Sequence, residues 1–444
     1  MRCRSAGPTQ TPHATPSLAQ SPLHPVLSFS FTVPILFRAL AWIPPTPQLF
    51  LSIVPIAIVL FDLSVVSIGF HPLPTSSTST TDSDVHDPSL PTVLAALSGL
   101  SITEWQPITG ILPPITKAEW DVEWEKYRVS PEGIMTNSKI DREEFKKIFY
   151  MEWAHRIAGR TLGVAFILPT VYYLTRYRGR LPPRLPAKLL LIGLGIGFQG
   201  FLGWYMVQSG LSQEIIDNNS VPRVSQYRLA AHLSAALALY MGMTYTAFGL
   251  LKDIRPSAST ISLTTSSIMK YRRYVGLAGF MVFFTAVSGA FVAGLDAGLV
   301  YNEWPTMGGR LVPPTDELLD ERYAKRSDKQ DNWWRNMLEN PVTAQFDHRL
   351  FATTTFFVVL SLHLLARRQP LKSKLPRSTV RLSAYTALAA FGQVGLGIST
   401  LLYMVPVHLA ATHQAGSVVL LTCIMGMLAS LRSSSQVMTM LKRR

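Results

Sequence analysis

Cysteine is nearly absent. Cys3 and Cys423 are the only two in 444 residues. One lies in a polar N-terminal region and the other inside an apolar run, so neither a disulfide framework nor a thiolate metal site is available. Charge is scarce as well: 15% of residues are charged, against about 25% in a soluble domain. Between Met1 and Phe61 acidic residues are missing altogether, while Arg2, Arg4 and Arg38 occur among many Ser, Thr and Pro. That bias fits a mitochondrial targeting leader, though a Pro-rich and Arg-poor one; a tail without an address is the alternative. The net charge of +14 would suit nucleic acid if it were clustered. It is instead spread over short loops between apolar runs, the positive-inside pattern of a polytopic membrane protein, and no nucleic-acid partner is expected.

What the chain has is long apolar segments. Pro47 to Phe70 is apolar apart from Asp62 and long enough to span. Residues 73–92 are polar and rich in Ser, Thr, Asp and Pro, and read as a linker. Leu94 to Leu100 is too short to cross alone. Residues 101–149 form an aqueous loop carrying Trp105, Trp120 and Trp124. Seven strong segments follow at 150–174, 187–208, 227–251, 274–296, 346–366, 380–404 and 408–431, each long enough to cross about 30 Å of hydrocarbon. The connection Arg176 to Lys188 has five basic residues and no acid, and Arg367 to Arg381 has six and no acid. With Lys252 to Arg273 and the tail Lys442-Arg443-Arg444, these place alternate loops and the C-terminus on one side, the matrix if the leader is mitochondrial.

The chain repeats itself. Gly99-Leu100-Ser101-Ile102-Thr103-Glu104-Trp105 parallels Gly298-Leu299-Val300-Tyr301-Asn302-Glu303-Trp304, with four of seven positions identical. His155-Arg156 then parallels His348-Arg349. Gln199 to Gly203 parallels Gln393 to Gly397, and Ala231-His232 parallels Thr412-His413. Four landmarks in the same order signal a duplicated four-helix unit. The expected fold is an all-α polytopic membrane protein of two tandem four-helix bundles related by a pseudo-two-fold repeat. It has about eight transmembrane helices, the first one atypical. The expected division is 1–92 leader and linker, 93–252 first half, 253–273 matrix-side linker, 274–432 second half and 433–444 basic tail.

Four histidines stand near the starts of segments that cross in one direction: His155, His232, His348 and His413. Two imidazoles facing each other across a bundle clamp a haem iron from both sides. Helix–helix hydrogen bonding is the plainer alternative. Arg156 and Arg349 follow two of these histidines and suit either haem propionates or lipid headgroups. The Gly-rich runs beginning at Gly193 and Gly392 suit either close helix packing or approach to a flat ligand. One asymmetry separates the halves. Glu152 stands three residues before His155, whereas Gln345 stands three before His348. A carboxylate there can accept a proton or stabilise a developing cation, and it can equally be a helix N-terminal residue favoured by the dipole. The asymmetry marks the first half as the candidate reaction site and the second as an electron-carrying site.

At Gly99-Leu-Ser-Ile-Thr-Glu-Trp-Gln-Pro-Ile-Thr-Gly110, Glu152-Trp-Ala-His-Arg156, Ala231-His232, Tyr301-Asn-Glu-Trp-Pro305, Asp347-His-Arg349 and Thr412-His-Gln414 the sequence resembles haem A synthases of the mitochondrial type. The resemblance covers about residues 98–432 and departs before Gly99, where the family has a conventional first helix. It implies an oxidoreductase that turns the C8 methyl of haem O into the formyl of haem A by successive hydroxylations, with oxygen from water, for cytochrome c oxidase. His348 and His413 would ligate a haem b cofactor, His155 and His232 would flank the substrate haem, and Glu152 would sit at the reacting edge. The implied partners are haem O, haem A and the bilayer, with haem O synthase, a ferredoxin-type electron donor or acceptor, oxidase assembly factors and a homo-oligomer as further expectations. The implied address is the mitochondrial inner membrane. A di-haem electron-transfer cytochrome without turnover is the competing expectation; a transporter would need broken helices, which the segments do not show.

Overall fold

The computed structural model describes residues 100–432, apart from Ile108, Arg180, Pro182, Pro183, residues 255–262 and Thr264. The chain divides into two units, Met1–Thr46 and Pro47–Arg444, and every described residue belongs to the second. The leader, the linker, the 47–70 segment and the basic tail therefore lie outside the described residues, as does the expected first helix.

Two short helices open the described chain, α1 (Lys117–Arg128) and α2 (Pro131–Met135). Thr116 caps α1 by accepting from Glu119 N while Glu119 reaches back to Thr116 N, a reciprocal box that fixes the helix start. Lys126 donates to Glu104 at 2.9 Å and holds that carboxyl below its ordinary range. Then comes α3 (Arg142–Arg176). It starts well before its apolar run, because Asp141 caps it by accepting from Glu144 N at 2.8 Å. Its first turns bury Phe145, Ile148 and Phe149 against Trp120 and Tyr127. The region expected as an aqueous loop is thus a small aromatic-cored cap standing on α3.

The remaining long helices are α4 (Leu185–Gln208), α5 (Gln226–Ile254) and α6 (Ser266–Gly294). After the short α7 (Asn332–Glu339) come α8 (Pro341–Arg367), α9 (Arg377–Leu402) and α10 (Val407–Ser430). Among the described residues seven helices are long and apolar enough to cross a membrane: α3, α4, α5, α6, α8, α9 and α10. They coincide with the seven segments read from the sequence. Their outward faces are apolar, as at Leu190, Leu191, Leu194, Leu388 and Phe391. In water such faces would be costly; against lipid they are matched to their solvent. This is a polytopic membrane protein.

In the second half α6 packs on α8 and α10, and α9 packs on α8 and α10, closing a four-helix bundle. Its core is Tyr271, Val275, Val282, Val359, Leu362, Leu421 and Ile424. In the first half the described membrane-length helices are α3, α4 and α5, with α4 between the other two. The halves meet where α5 lies against α6 and α10. Gly294 makes that approach close: a Cβ there would stand 2.8 Å from Gln226 Cβ. Tyr227 Oη donates to Glu339 at 2.8 Å beside it. At the other end Lys252 donates to Ser430 O at 2.7 Å and Arg432 to Gly249 O at 2.8 Å, so the C-termini of α5 and α10 cap each other across the interface.

Candidate functional site

The repeat holds at the level of single contacts. In the first half the Gln199 amide donates to His232 O at 2.9 Å; in the second the Gln393 amide donates to His413 O at 2.7 Å. Four residues on, Gly203 lies under the His232 ring and Gly397 under the His413 ring. Added Cβ atoms would stand 3.1 and 2.8 Å from the respective Cε1 atoms. The Gly-rich runs thus serve close packing, and what they pack against is an imidazole. His348 rests in the same way on Gly289, with a distance of 3.3 Å to its Cε1.

Each half brings its two histidines into electrostatic reach of each other: His155 of α3 with His232 of α5, and His348 of α8 with His413 of α10. Ser288 fixes the ring of His348. Its Oγ gives its one proton to Thr285 O at 2.7 Å and lies 2.8 Å from His348 Nδ1. With its proton on Thr285 O the hydroxyl accepts from Nδ1–H, and in that tautomer Nε2 carries the free lone pair, the form a metal takes. No sequence signal pointed to Ser288, because its register counterpart before Gly99 is not part of the visible repeat. His363 bonds Ser383 at 3.1 Å and has no counterpart in the first half.

Beside each histidine pair runs a strap, residues 100–107 in the first half and 299–306 in the second. Arg156 Nη2 donates to Ile102 O at 2.9 Å; Arg349 Nη2 donates to the equivalent Tyr301 O at 3.0 Å. Arg156 also holds Glu104 O at 2.8 Å, and Arg349 holds Thr306 O at 3.0 Å. Both arginines expected at propionates or headgroups are thus engaged with strap carbonyls. Arg160 extends the clamp to Gln106 O and Pro107 O. Trp105 stacks on Trp204 of α4 with ring centroids 5.5 Å apart.

Glu152 and Gln345 hold the same strap positions with opposite polarity. Glu152 Oε2 accepts from Ile102 N at 2.9 Å and from Ser101 Oγ at 2.7 Å, while Oε1 accepts from Arg156 at 2.7 Å. Its side chain is 8% exposed. Gln345 instead donates its amide to Tyr301 O at 3.1 Å, and its Oε1 is buried without a hydrogen-bond partner. The first half therefore carries a fixed, donor-lined carboxylate one helical turn from its histidine, about 4.5 Å along the axis. The second half carries a neutral amide.

The donor set suits a macrocycle. Among the described residues no group of three or more His, Cys, Asp or Glu gathers around one point. A haem brings its own equatorial nitrogens and asks the protein for two axial ligands only. His413 Nδ1 is a buried ring nitrogen with no hydrogen-bond partner among the described residues, a group that native interiors seldom leave orphaned. One turn beyond the exposed His155, a Cβ on Gly159 would meet nothing within 4 Å among the described residues. These features fit a flat tetrapyrrole in each half. Gly397→Ala pushes a methyl into the His413 ring and is expected to lower bound haem per purified chain about ten-fold. Gly395→Ala, where a Cβ meets nothing within 4 Å, leaves it unchanged.

Comparison with known proteins follows the same residues. The COX15-CtaA family, described as cytochrome oxidase assembly protein, matches residues 93–425. "Heme A synthase COX15" of Saccharomyces cerevisiae is 47% identical over 345 residues, 76% of this chain and 70% of the yeast protein. The human protein of the same description is 44% identical over 337 residues, 76% of each chain. A "Heme A synthase-mitochondrial ferredoxin fusion protein" of Schizosaccharomyces pombe is 45% identical over 342 residues, 74% of this chain and 55% of the fusion.

Proposed function

This chain belongs to the COX15-CtaA family of cytochrome oxidase assembly proteins, and from that membership we propose that it is a haem A synthase. The reaction is oxidation of the C8 methyl of haem O to the formyl of haem A, with water supplying the oxygen, and electrons and protons leaving in equal number. The observation that carries the assignment of roles is the change of charge in an otherwise similar site: Glu152 with Ser101 in one half, Gln345 with Val300 in the other. The half with the carboxylate is the reacting half.

In this reading His155 and His232 flank the substrate haem O, and Glu152 stands at its reacting edge. The carboxylate stabilises positive charge developing on the methyl carbon and takes the proton of the attacking water. His348 and His413 hold a resident haem b, which supplies a one-electron acceptor in the low-dielectric interior. Ser288 keeps His348 in the ligating tautomer. Arg156 and Arg349 keep the straps closed over both pockets, with propionate pairing as a further duty of guanidinium groups at the rims. Division into a reacting half (93–252) and an electron-carrying half (274–432) follows.

The cellular setting belongs to the same proposal. The Schizosaccharomyces pombe relative, described as fused to a mitochondrial ferredoxin, together with the acid-free N-terminal region, supports the inner membrane. The basic loops support a matrix-side C-terminus. The fusion in Schizosaccharomyces pombe supports a ferredoxin-type partner; haem O synthase and oxidase assembly factors are the expected donor and recipients of the pigments. Pigment extraction from the purified protein, expressed in cells that make haem O, is the test. Haem b together with haem O or haem A is the expected result. Haem b alone would make the protein an electron carrier, and no haem would overturn the reading.

A further inference from the structure

We propose that Ser101 is the positioning residue for Glu152, pinning one carboxylate oxygen so that the other meets the substrate. The inference rests on the proposed haem A synthase activity and deepens it. Ser101 is 4% exposed and lies on the strap, far from Glu152 in sequence. Its hydroxyl stands 2.7 Å from Glu152 Oε2, and more loosely, at 3.3 Å, from Ile148 O. An ionised carboxylate has about four acceptor sites. Ser101 Oγ and Ile102 N fill both on Oε2, while Arg156 fills one on Oε1. The remaining acceptor site is therefore on Oε1, and that oxygen is the one able to take a proton or face a cation.

The second half supplies the internal comparison. Val300 stands where Ser101 stands, and Gln345 where Glu152 stands. Both positions change together, while the contacts that close the strap persist, Arg156 to Ile102 O and Arg349 to Tyr301 O. A strap can thus be held without the hydroxyl. The serine is present only where there is a carboxylate to aim, so its role is orientation of Glu152 rather than closure of the strap. Without it Oε2 keeps only the Ile102 N–H, and the carboxyl can rotate toward Arg156 and away from the haem edge.

The test uses the full chain, purified with its pigments, as wild type, Ser101→Ala and Ser101→Thr. Three quantities are read: haem O bound per chain, the absorption spectrum of the b-type haem, and the rate of haem A formation. Ser101→Ala should bind haem O and show an unaltered b-type spectrum, while forming haem A about ten-fold more slowly or worse, the expected cost of losing a hydrogen bond to a charged group. Ser101→Thr, which restores the hydroxyl, should recover most of the rate. Wild-type rates in Ser101→Ala would overturn the assignment. So would a Ser101→Ala chain that loses haem O or b-type haem and is not rescued by threonine, since Ser101 would then merely hold the fold. A wild-type chain that binds haem O yet makes no haem A would sink the functional reading itself, and this assignment with it.

Discussion

Glu152→Gln is expected to abolish haem A formation, by about 100-fold or more, while haem O stays bound and accumulates on the purified chain. The magnitude follows from the two duties assigned to the carboxylate, proton acceptance and stabilisation of developing positive charge, each typically worth that factor or more. Misfolding is the usual objection to such a variant, because removing one member of a buried ion pair strands the other. Here the chain answers it. At the equivalent place in the second half Gln345 sits 3% exposed beside Arg349, and the strap is closed. Arg156 also keeps Ile102 O and Glu104 O as acceptors. Glu152→Gln therefore makes the first half resemble a packing that the same protein already tolerates. The check is pigment extraction beside the b-type spectrum: haem O bound, haem A missing, spectrum intact. Unchanged turnover would remove Glu152 from the chemistry.

Much of this site was legible in the sequence, and the reason is duplication. A single histidine in an apolar helix says little. Four, each at the same place in a twice-occurring order of landmarks, can be paired before any coordinates exist, and the Glu152/Gln345 difference stands out only against that sameness. The seven long helices were equally visible, since runs of Leu, Ile, Val and Phe of membrane-crossing length have few other uses. What stayed hidden were contacts between residues far apart in sequence without a distinctive type. Ser101 is one small polar residue among many. Its meaning comes from Glu152, which a turn of strap and the start of α3 bring to 2.7 Å. Ser288 was hidden in the same way. The arginines show a second kind of hidden contact: a guanidinium beside a candidate haem ligand suggests propionates, and the strap carbonyls that Arg156 and Arg349 also hold give no sign of themselves in the sequence. The cap over 101–149 was missed because its helices are short and charged. Trp120 and Tyr127 of the cap pack with Phe145, Ile148 and Phe149 of α3 into a small core.

His348→Ala is expected to remove the b-type haem from the second half entirely and, with it, all haem A formation. The loss should exceed that from any residue that only supports the ligand. Gly289 lies under the ring, and with the Ser288 proton on Thr285 O the serine accepts from Nδ1, which would leave Nε2 free for an iron. Alanine deletes the ligand but leaves this seat and the helix-capping contacts of Asn340 on Val342 N in place, so the α6–α8 packing persists. Ser288→Ala supplies the graded comparison. It keeps the imidazole but frees its tautomer and orientation, the kind of change that weakens binding about 10- to 100-fold, and it removes a hydrogen bond that would tune a bound iron. Its signature is therefore partial haem retention with a shifted midpoint potential, where His348→Ala shows no b-type haem to titrate. The first half is the control within both variants, since His155 and His232 belong to other helices and should still hold haem O. A reducible b-type haem retained in His348→Ala would take this histidine out of the ligand set. Loss of haem O together with haem b would mean instead that the two halves cannot be loaded separately, an outcome that the close seat of α5 on α6 at Gly294 makes worth measuring in the same preparation.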